Sequence, residues 1–145
     1  MKSIHILLVE DNEGDIILTT EALNEGKITN KLSVVRDGWE ATQFLGKKGK
    51  YSQEHSPDLI LLDVSLPKMN GHEVLILIKS DEMTKHIPVI MLTTSSSEKD
   101  IYQSYKNHVN CYITKPVDAH SFLQVVASIE DFWISIVTLP KMNRS

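Results

Sequence analysis

What the chain has little of narrows it first. It carries one cysteine, Cys111, so no disulfide can form within it, and a lone thiol fits a reducing compartment. It has no long hydrophobic run. No apolar stretch approaches the roughly 18 residues needed to cross a bilayer. The N-terminal run Ile6 to Val9 meets Glu10-Asp11 too soon to form the core of a signal peptide. It has no excess of positive charge. Fifteen Lys and Arg against 19 Asp and Glu leave a formal net charge of -4, which gives no electrostatic case for nucleic acid or an anionic membrane surface. It has no internal repeat and no low-complexity segment. Its six histidines, His5, His55, His72, His86, His108 and His120, are scattered without metal-ligand spacing, which argues against zinc. What is left is the expectation of a cytoplasmic protein with one domain over residues 1–145. That length is enough to bury roughly two-thirds of the unfolded surface without staples.

Against this background one stretch stands out. Leu59-Ile60-Leu61-Leu62 runs without a polar break behind a Pro57-Asp58 turn and closes on Asp63. A short continuous apolar run reads as a strand buried on both faces. An isolated ionised carboxylate is too costly to bury, so Asp63 belongs at the strand's end in a polar cleft. Leu66-Pro67 and Asn70-Gly71 supply turn chemistry just beyond it. Asp63 then tops a buried strand beneath a tight loop, which is a fit place for a nucleophile.

The rest of the chain repeats that logic. Ile4 to Val9 is mostly apolar and ends in Glu10-Asp11. A helix starts at Asn12 or Glu13, with Ile16, Ile17, Thr20, Leu23 and Asn24 at helical spacing, and ends at Glu25-Gly26. Lys31 to Val35 reads as a second strand. Asp37 can cap a helix whose face is Trp39, Ala41, Thr42, Phe44 and Leu45. Gly46 to Ser56 is polar and loop-like, and its run Lys47-Lys48-Gly49-Lys50 reads as a solvated surface rather than an anionic-partner contact. Gly71 opens a third helix along Val74, Leu75, Leu77 and Ile78. Ile87 to Leu92 is a buried strand ending in the hydroxyl run Thr93 to Ser97. Ser97 with Asp100 has capping-box-like spacing before a helix to about Asn107. Val109 to Thr114 is a fifth strand, with Cys111 as a small buried residue, and it ends at Lys115-Pro116. Asp118 caps a last helix. Strand and helix alternate five times, each connection has the length of a crossover, and the order implies an all-parallel sheet with helices on both faces.

In such α/β folds ligands bind at the C-terminal ends of the strands. There the chain places Glu10 and Asp11, then Asp63, then Thr93, then Lys115. Any one Asp at a strand end is ordinarily a turn former or helix cap, but the conjunction is not ordinary. Three carboxylates in one cleft repel unless a cation sits among them, and hard oxygen donors at this density suit Mg²⁺. A hydroxyl and a compact ammonium on the other rim are groups that surround a phosphoryl group. An aspartate can act as the nucleophile and form an aspartyl phosphate.

With those residues in view the chain resembles the receiver domain of two-component response regulators. The resemblance rests on Glu10-Asp11, on Asp63 followed by Leu66-Pro67 and Asn70-Gly71, on Thr93 after Pro88 to Leu92, and on Lys115-Pro116. It covers residues 4 to about 131. It implies a doubly wound, flavodoxin-like five-stranded parallel sheet of order 2-1-3-4-5, with residues 4–131 as core and about 132–145 as an extension. It implies Asp63 as phosphoacceptor, Mg²⁺ held by Asp11 directly, by Glu10 through water, by Asp63 and by the Ser65 backbone carbonyl, and Thr93 and Lys115 on the phosphoryl oxygens. Tyr112 is the aromatic expected to change rotamer as Thr93 moves, and the Lys115-Pro116 bond is expected to be cis. Ser65 and Ser95 occupy the positions that tune dephosphorylation in the family. A narrower similarity, to small regulators paired with bacterial phytochromes, lies in Glu10-Asp11-Asn12 with Gly14-Asp15, the loop Gly46 to Ser56, His108 to Lys115, and the tail Phe132 to Pro140. It implies a phytochrome-type sensor histidine kinase as phosphoryl donor.

The last helix adds an assembly expectation. Phe122, Val125, Val126, Ile129, Trp133 and Ile136 form an apolar stripe. If the helix runs from Asp118 to about Val137 it is roughly 30 Å long, against some 18 Å for a helix of about 12 residues. The excess carries Phe132, Trp133, Ile134, Ile136, Val137 and Leu139, which either fold back on the core or bury one another in a homodimer, the sharper expectation. No output domain follows in the chain, so a partner protein is expected to carry the signal. Two other readings fare less well. A phosphatase or phosphotransferase with an Asp nucleophile on a similar fold usually needs a second Asp two residues on, where this chain has Ser65. A flavin domain needs a hydroxyl- and glycine-rich loop after the first strand, where this chain has Glu10-Asp11-Asn12-Glu13.

Overall fold

Largely apolar runs become the central strands. The computed structural model describes residues 4–25, 30–94 and 111–128. Within them β1 (Ile4–Val9), β2 (Asn30–Val35), β3 (Leu59–Asp63), β4 (Val89–Thr93) and β5 (Cys111–Thr114) form one sheet in the order β2-β1-β3-β4-β5. Every adjacent pair is parallel. Strands β1, β3 and β4 lie in the middle and are buried at every position. That burial explains why their sequences lack the polar alternation of a half-exposed strand.

Alternate residues of these strands serve two cores. Ile6, Leu8, Leu59, Leu61, Ile90 and Leu92 face helices α1 (Glu13–Glu25) and α4 (Ala119–Ser128), meeting Ile16, Leu23, Phe122 and Val126. Leu7, Val9, Ile60, Leu62, Val89 and Met91 face helices α2 (Gly38–Leu45) and α3 (Gly71–Ser80), meeting Ala41, Phe44, Val74, Leu75 and Ile78. The sheet is thus covered on both sides, as its sequence requires.

Each of the four α-helices among the described residues is started by a side chain that accepts the N–H three residues on. Asn12 accepts from Asp15 at 2.9 Å, Asp37 from Glu40 at 2.7 Å, Asn70 from Glu73 at 3.0 Å and Asp118 from Ser121 at 2.8 Å. The Lys115-Pro116 peptide bond is cis. No helix among the described residues is long and apolar enough to cross a membrane.

Several local expectations are corrected. On α1 the buried positions are Ile16, Thr19, Ala22 and Leu23, while Ile17 is 52% exposed and Asn24 is exposed. A helix on one face of a sheet buries a stripe, and Ile17 lies off it. On α2 the buried stripe is Gly38, Ala41 and Phe44, and Trp39 is 56% exposed. Leu77 of α3 is exposed for the same reason. Cys111 opens β5 at the edge of the sheet and is half-buried rather than buried. The segment Gly46 to Ser56 is not all loop. A 3₁₀ turn, Gly49–Tyr51, sets the Tyr51 ring 5.1 Å from that of Phe44, anchoring the segment to the core. The helix expected after Ser97, together with Ser95, Val109 and Asn110, lies outside the described residues. So does the tail with Phe132, Trp133, Ile136, Val137 and Leu139.

Candidate functional site

Strand register builds the site. Val9 is level with Leu62, so the next residues, Glu10 and Asp63, emerge side by side from β1 and β3. Asp63 is level with Leu92 and Thr93 with Thr114, so Thr93 and Lys115 leave the sheet one step later. Two backbone bonds hold this end together, from Lys115 N–H to the Thr93 carbonyl at 2.7 Å and from Val64 N–H to the Leu92 carbonyl at 2.9 Å.

The loop after β3 closes over Asp63 because residue 71 has no side chain. A Cβ on Gly71 would stand 2.3 Å from the Asp63 carbonyl oxygen, inside any tolerable contact. Gly71 N–H instead donates to the Val64 carbonyl at 3.0 Å, and Asn70 starts α3 directly afterwards. Ser65 N–H donates to Asp63 Oδ1 at 3.3 Å, orienting the carboxylate. Ser65 and Asp11 line one cleft of about 460 Å³ with Leu66, Pro67, Asn70 and His72. A larger cavity of about 620 Å³ lies between α2 and α3, lined by Leu45, Val74, Leu77 and Ile78. It touches none of these carboxylates.

Glu10, Asp11 and Asp63 each offer an oxygen, and the three atoms lie within 4.8 Å of one another. Glu10 is fully buried, Asp63 buried and Asp11 exposed, so the group opens to solvent on the Asp11 side. Burial, and next the adjacent Asp63 carboxyl, push Glu10 up to about 7, against the lowering pull of Lys115. A divalent cation suits this donor set. It would match three hard oxygens and offset the cost of holding these carboxylates ionised beside one another.

Opposite stands Lys115, whose side chain is almost wholly enclosed. Its ammonium lies 3.0 Å from Glu10 Oε1, 2.9 Å from Asp15 Oδ2 and 3.3 Å from Asp63 Oδ1. Burial works to discharge it. Hydrogen bonds to Asp15 and Glu10, with the charges of Asp63 and Glu10, outweigh burial and hold the ammonium above its ordinary value.

The structure therefore brings Glu10, Asp11, Asp63 and Lys115 together, with Ser65 on the same cleft as Asp11 and a buried Thr93 at the end of β4. Tyr112 is half-buried on β5 and packs against the core on the α2–α3 face. Asp15 is the member that strand-end reasoning misses, because it sits in the first turn of α1. Its signal is that an acid three residues after an Asn cap can turn toward the strand ends rather than back to its own helix.

The family model described as response regulator receiver domain matches residues 6–127. The response regulator Rcp1 of Synechocystis sp. is 47% identical over 135 residues, which are 93% of this chain and 92% of Rcp1. Among solved structures, a phosphorylated cyanobacterial phytochrome response regulator, RcpA, is 49% identical with a TM-score of 0.79. The match covers 94% of this chain and 98% of RcpA. The Mn²⁺-bound form of Rcp1 has a TM-score of 0.76 at 45% identity, covering 93% and 97% of the two chains.

Proposed function

This chain belongs to the response regulator receiver family, and from that premise we propose that Asp63 accepts a phosphoryl group in the strand-end cleft. The observation that carries the reading is the shared position of Asp63, two further carboxylates and one enclosed ammonium. Asp11 and Asp63 directly, Glu10 through water, and the Ser65 backbone carbonyl would hold Mg²⁺. A bound divalent cation supplies positive charge against the phosphoryl oxygens. The Mn²⁺-bound form of a relative supports a divalent ion at such a site.

The chain's own residues do the rest. An Asp63 carboxylate oxygen attacks phosphorus, a P–O bond forms, and the P–N bond to the donor's phosphohistidine breaks, its electron pair returning to the imidazole nitrogen. Lys115 faces the charge on one phosphoryl oxygen, and the Thr93 hydroxyl donates to another. Tyr112, on the neighbouring strand, follows Thr93 and carries the change outward. The likeness to phytochrome response regulators supports a phytochrome-type sensor histidine kinase as donor, in the cytoplasm. The apolar tail residues Phe132, Trp133, Ile136, Val137 and Leu139 support a homodimer of single receiver domains. The protein is a signalling switch that catalyses only its own phosphorylation and dephosphorylation.

Incubation with a small phosphodonor, with and without Mg²⁺, followed by intact mass measurement, tests this. One phosphoryl adduct is expected, dependent on Mg²⁺ and absent from Asp63→Asn. An adduct that persists in that variant refutes the assignment.

A further inference from the structure

We propose that Asp15 is a positioning residue for this phosphoryl transfer, tethering the Lys115 ammonium so that its charge is kept beside Asp63. The inference rests on Asp63 being the phosphoacceptor.

An ammonium has three donors. Here two of them donate to Asp15 at 2.9 Å and Glu10 at 3.0 Å, and the ammonium also lies 3.3 Å from the Asp63 carboxylate as an ion pair. The contact with Asp63 is the longest and the readiest to be taken over by an arriving phosphoryl oxygen. Glu10 and Asp63 belong to the carboxylate group that would hold a divalent cation. Asp15 does not, so it can keep hold of Lys115 while the other two change partners.

Asp15 is also withheld from its ordinary local role. An acidic residue three places into a helix commonly returns a bond to the backbone N–H of its cap. Glu73 does this for Asn70 at 3.2 Å, completing a reciprocal pair. At α1 only half the pair forms. Asn12 Oδ1 accepts the Asp15 N–H at 2.9 Å, but the Asn12 N–H donates to Glu10 Oε2 at 3.3 Å, and Asp15 Oδ2 accepts from Lys115. The tether is rooted in the helix, since the Asn12 carbonyl also accepts the Ile16 N–H at 2.9 Å. A lysine has a flexible four-carbon stem. Holding its head from a fixed helix end spares the ordering that phosphoryl binding would otherwise require.

The test uses the full chain at saturating Mg²⁺, with adduct formation from acetyl phosphate followed by intact mass. Asp15→Ala should slow phosphorylation about tenfold, and Asp15→Asn, which keeps an oxygen acceptor in place, should stay within about threefold of the unsubstituted protein. A second readout is made on unphosphorylated protein with ¹⁵N-labelled lysine. The slowly exchanging Lys115 ammonium signal should persist in Asp15→Asn and vanish in Asp15→Ala, which a merely structural role would not predict at unchanged melting temperature. A full rate in Asp15→Ala, or an Asn variant as slow as the Ala variant, overturns the proposal. If the unsubstituted protein takes no adduct, the Asp63 reading fails instead, and the ammonium signal still tests the tether.

Discussion

Helices α1 and α3 begin alike and end up differently employed. Both have an asparagine cap and an acid three residues later, Asn12 with Asp15 and Asn70 with Glu73. At α3 both side chains stay local and the helix start is self-contained. At α1 the cap is kept, but the acid reaches a lysine 100 residues away in the chain, and the cap's own N–H turns to Glu10. The same local grammar can therefore serve a helix alone, or serve a helix and a site at once. What decides is the neighbour, since an enclosed ammonium bound to three carboxylates outbids a half-exposed backbone N–H.

That contrast can be broken at its strongest point first. Lys115→Ala leaves Glu10 and Asp63 buried without their cation, and should cost about 3–5 kcal/mol in urea unfolding without divalent ions. Added Mg²⁺ should restore part of the loss, and an equal loss with and without it would contradict the picture. The next effect is pH. Glu10 is raised to about 7 in the folded chain from 4.5, so the metal-free protein binds an extra proton between those values. The stability this lends is full below about 4.5 and fades as pH rises through about 7, on the order of 3 kcal/mol. Denaturant titrations across that range should show the decline, and Mg²⁺, which favours the ionised carboxylates, should flatten it.

Smaller changes sharpen the comparison. Gly71→Ala drives a Cβ against the Asp63 carbonyl and should cost about 1–3 kcal/mol. At α1 the matching intrusion is mild, because a Cβ on Gly14 meets only Asn12 Oδ1 at 3.2 Å. Gly14→Ala should be close to neutral when the two variants are compared by urea unfolding. Smallest of all, Glu73→Gln should cost a few tenths of a kcal/mol, leaving the phosphorylation rate unchanged because its carboxylate serves only α3.

Much of this is legible in the sequence. The strands declared themselves because both faces of the central three are covered, and an apolar run that closes on a charged residue locates a sheet end. Glu10, Asp11, Asp63 and Lys115 were visible for that reason. Asp15 was not, because its role depends on which strand lies beside α1, and one residue's spacing holds no such information. Ile17 and Trp39 misled for a related reason. Hydrophobic residues at helical spacing allow several faces, and only the sheet's position selects the stripe of Ile16, Thr19 and Leu23 or of Ala41 and Phe44. Cys111 reads as interior from its neighbours, yet β5 is an edge strand.

The glycines around the β3–α3 loop have a mechanical meaning. Gly71 lets the loop rest on the Asp63 carbonyl, and a Cβ on Gly38 would stand 2.2 Å from the Met69 carbonyl on the loop's other side. A segment wedged between a strand end and a helix start has little slack. One rim of the cleft is then an anvil, the fixed side against which the Asp63 carboxylate is set.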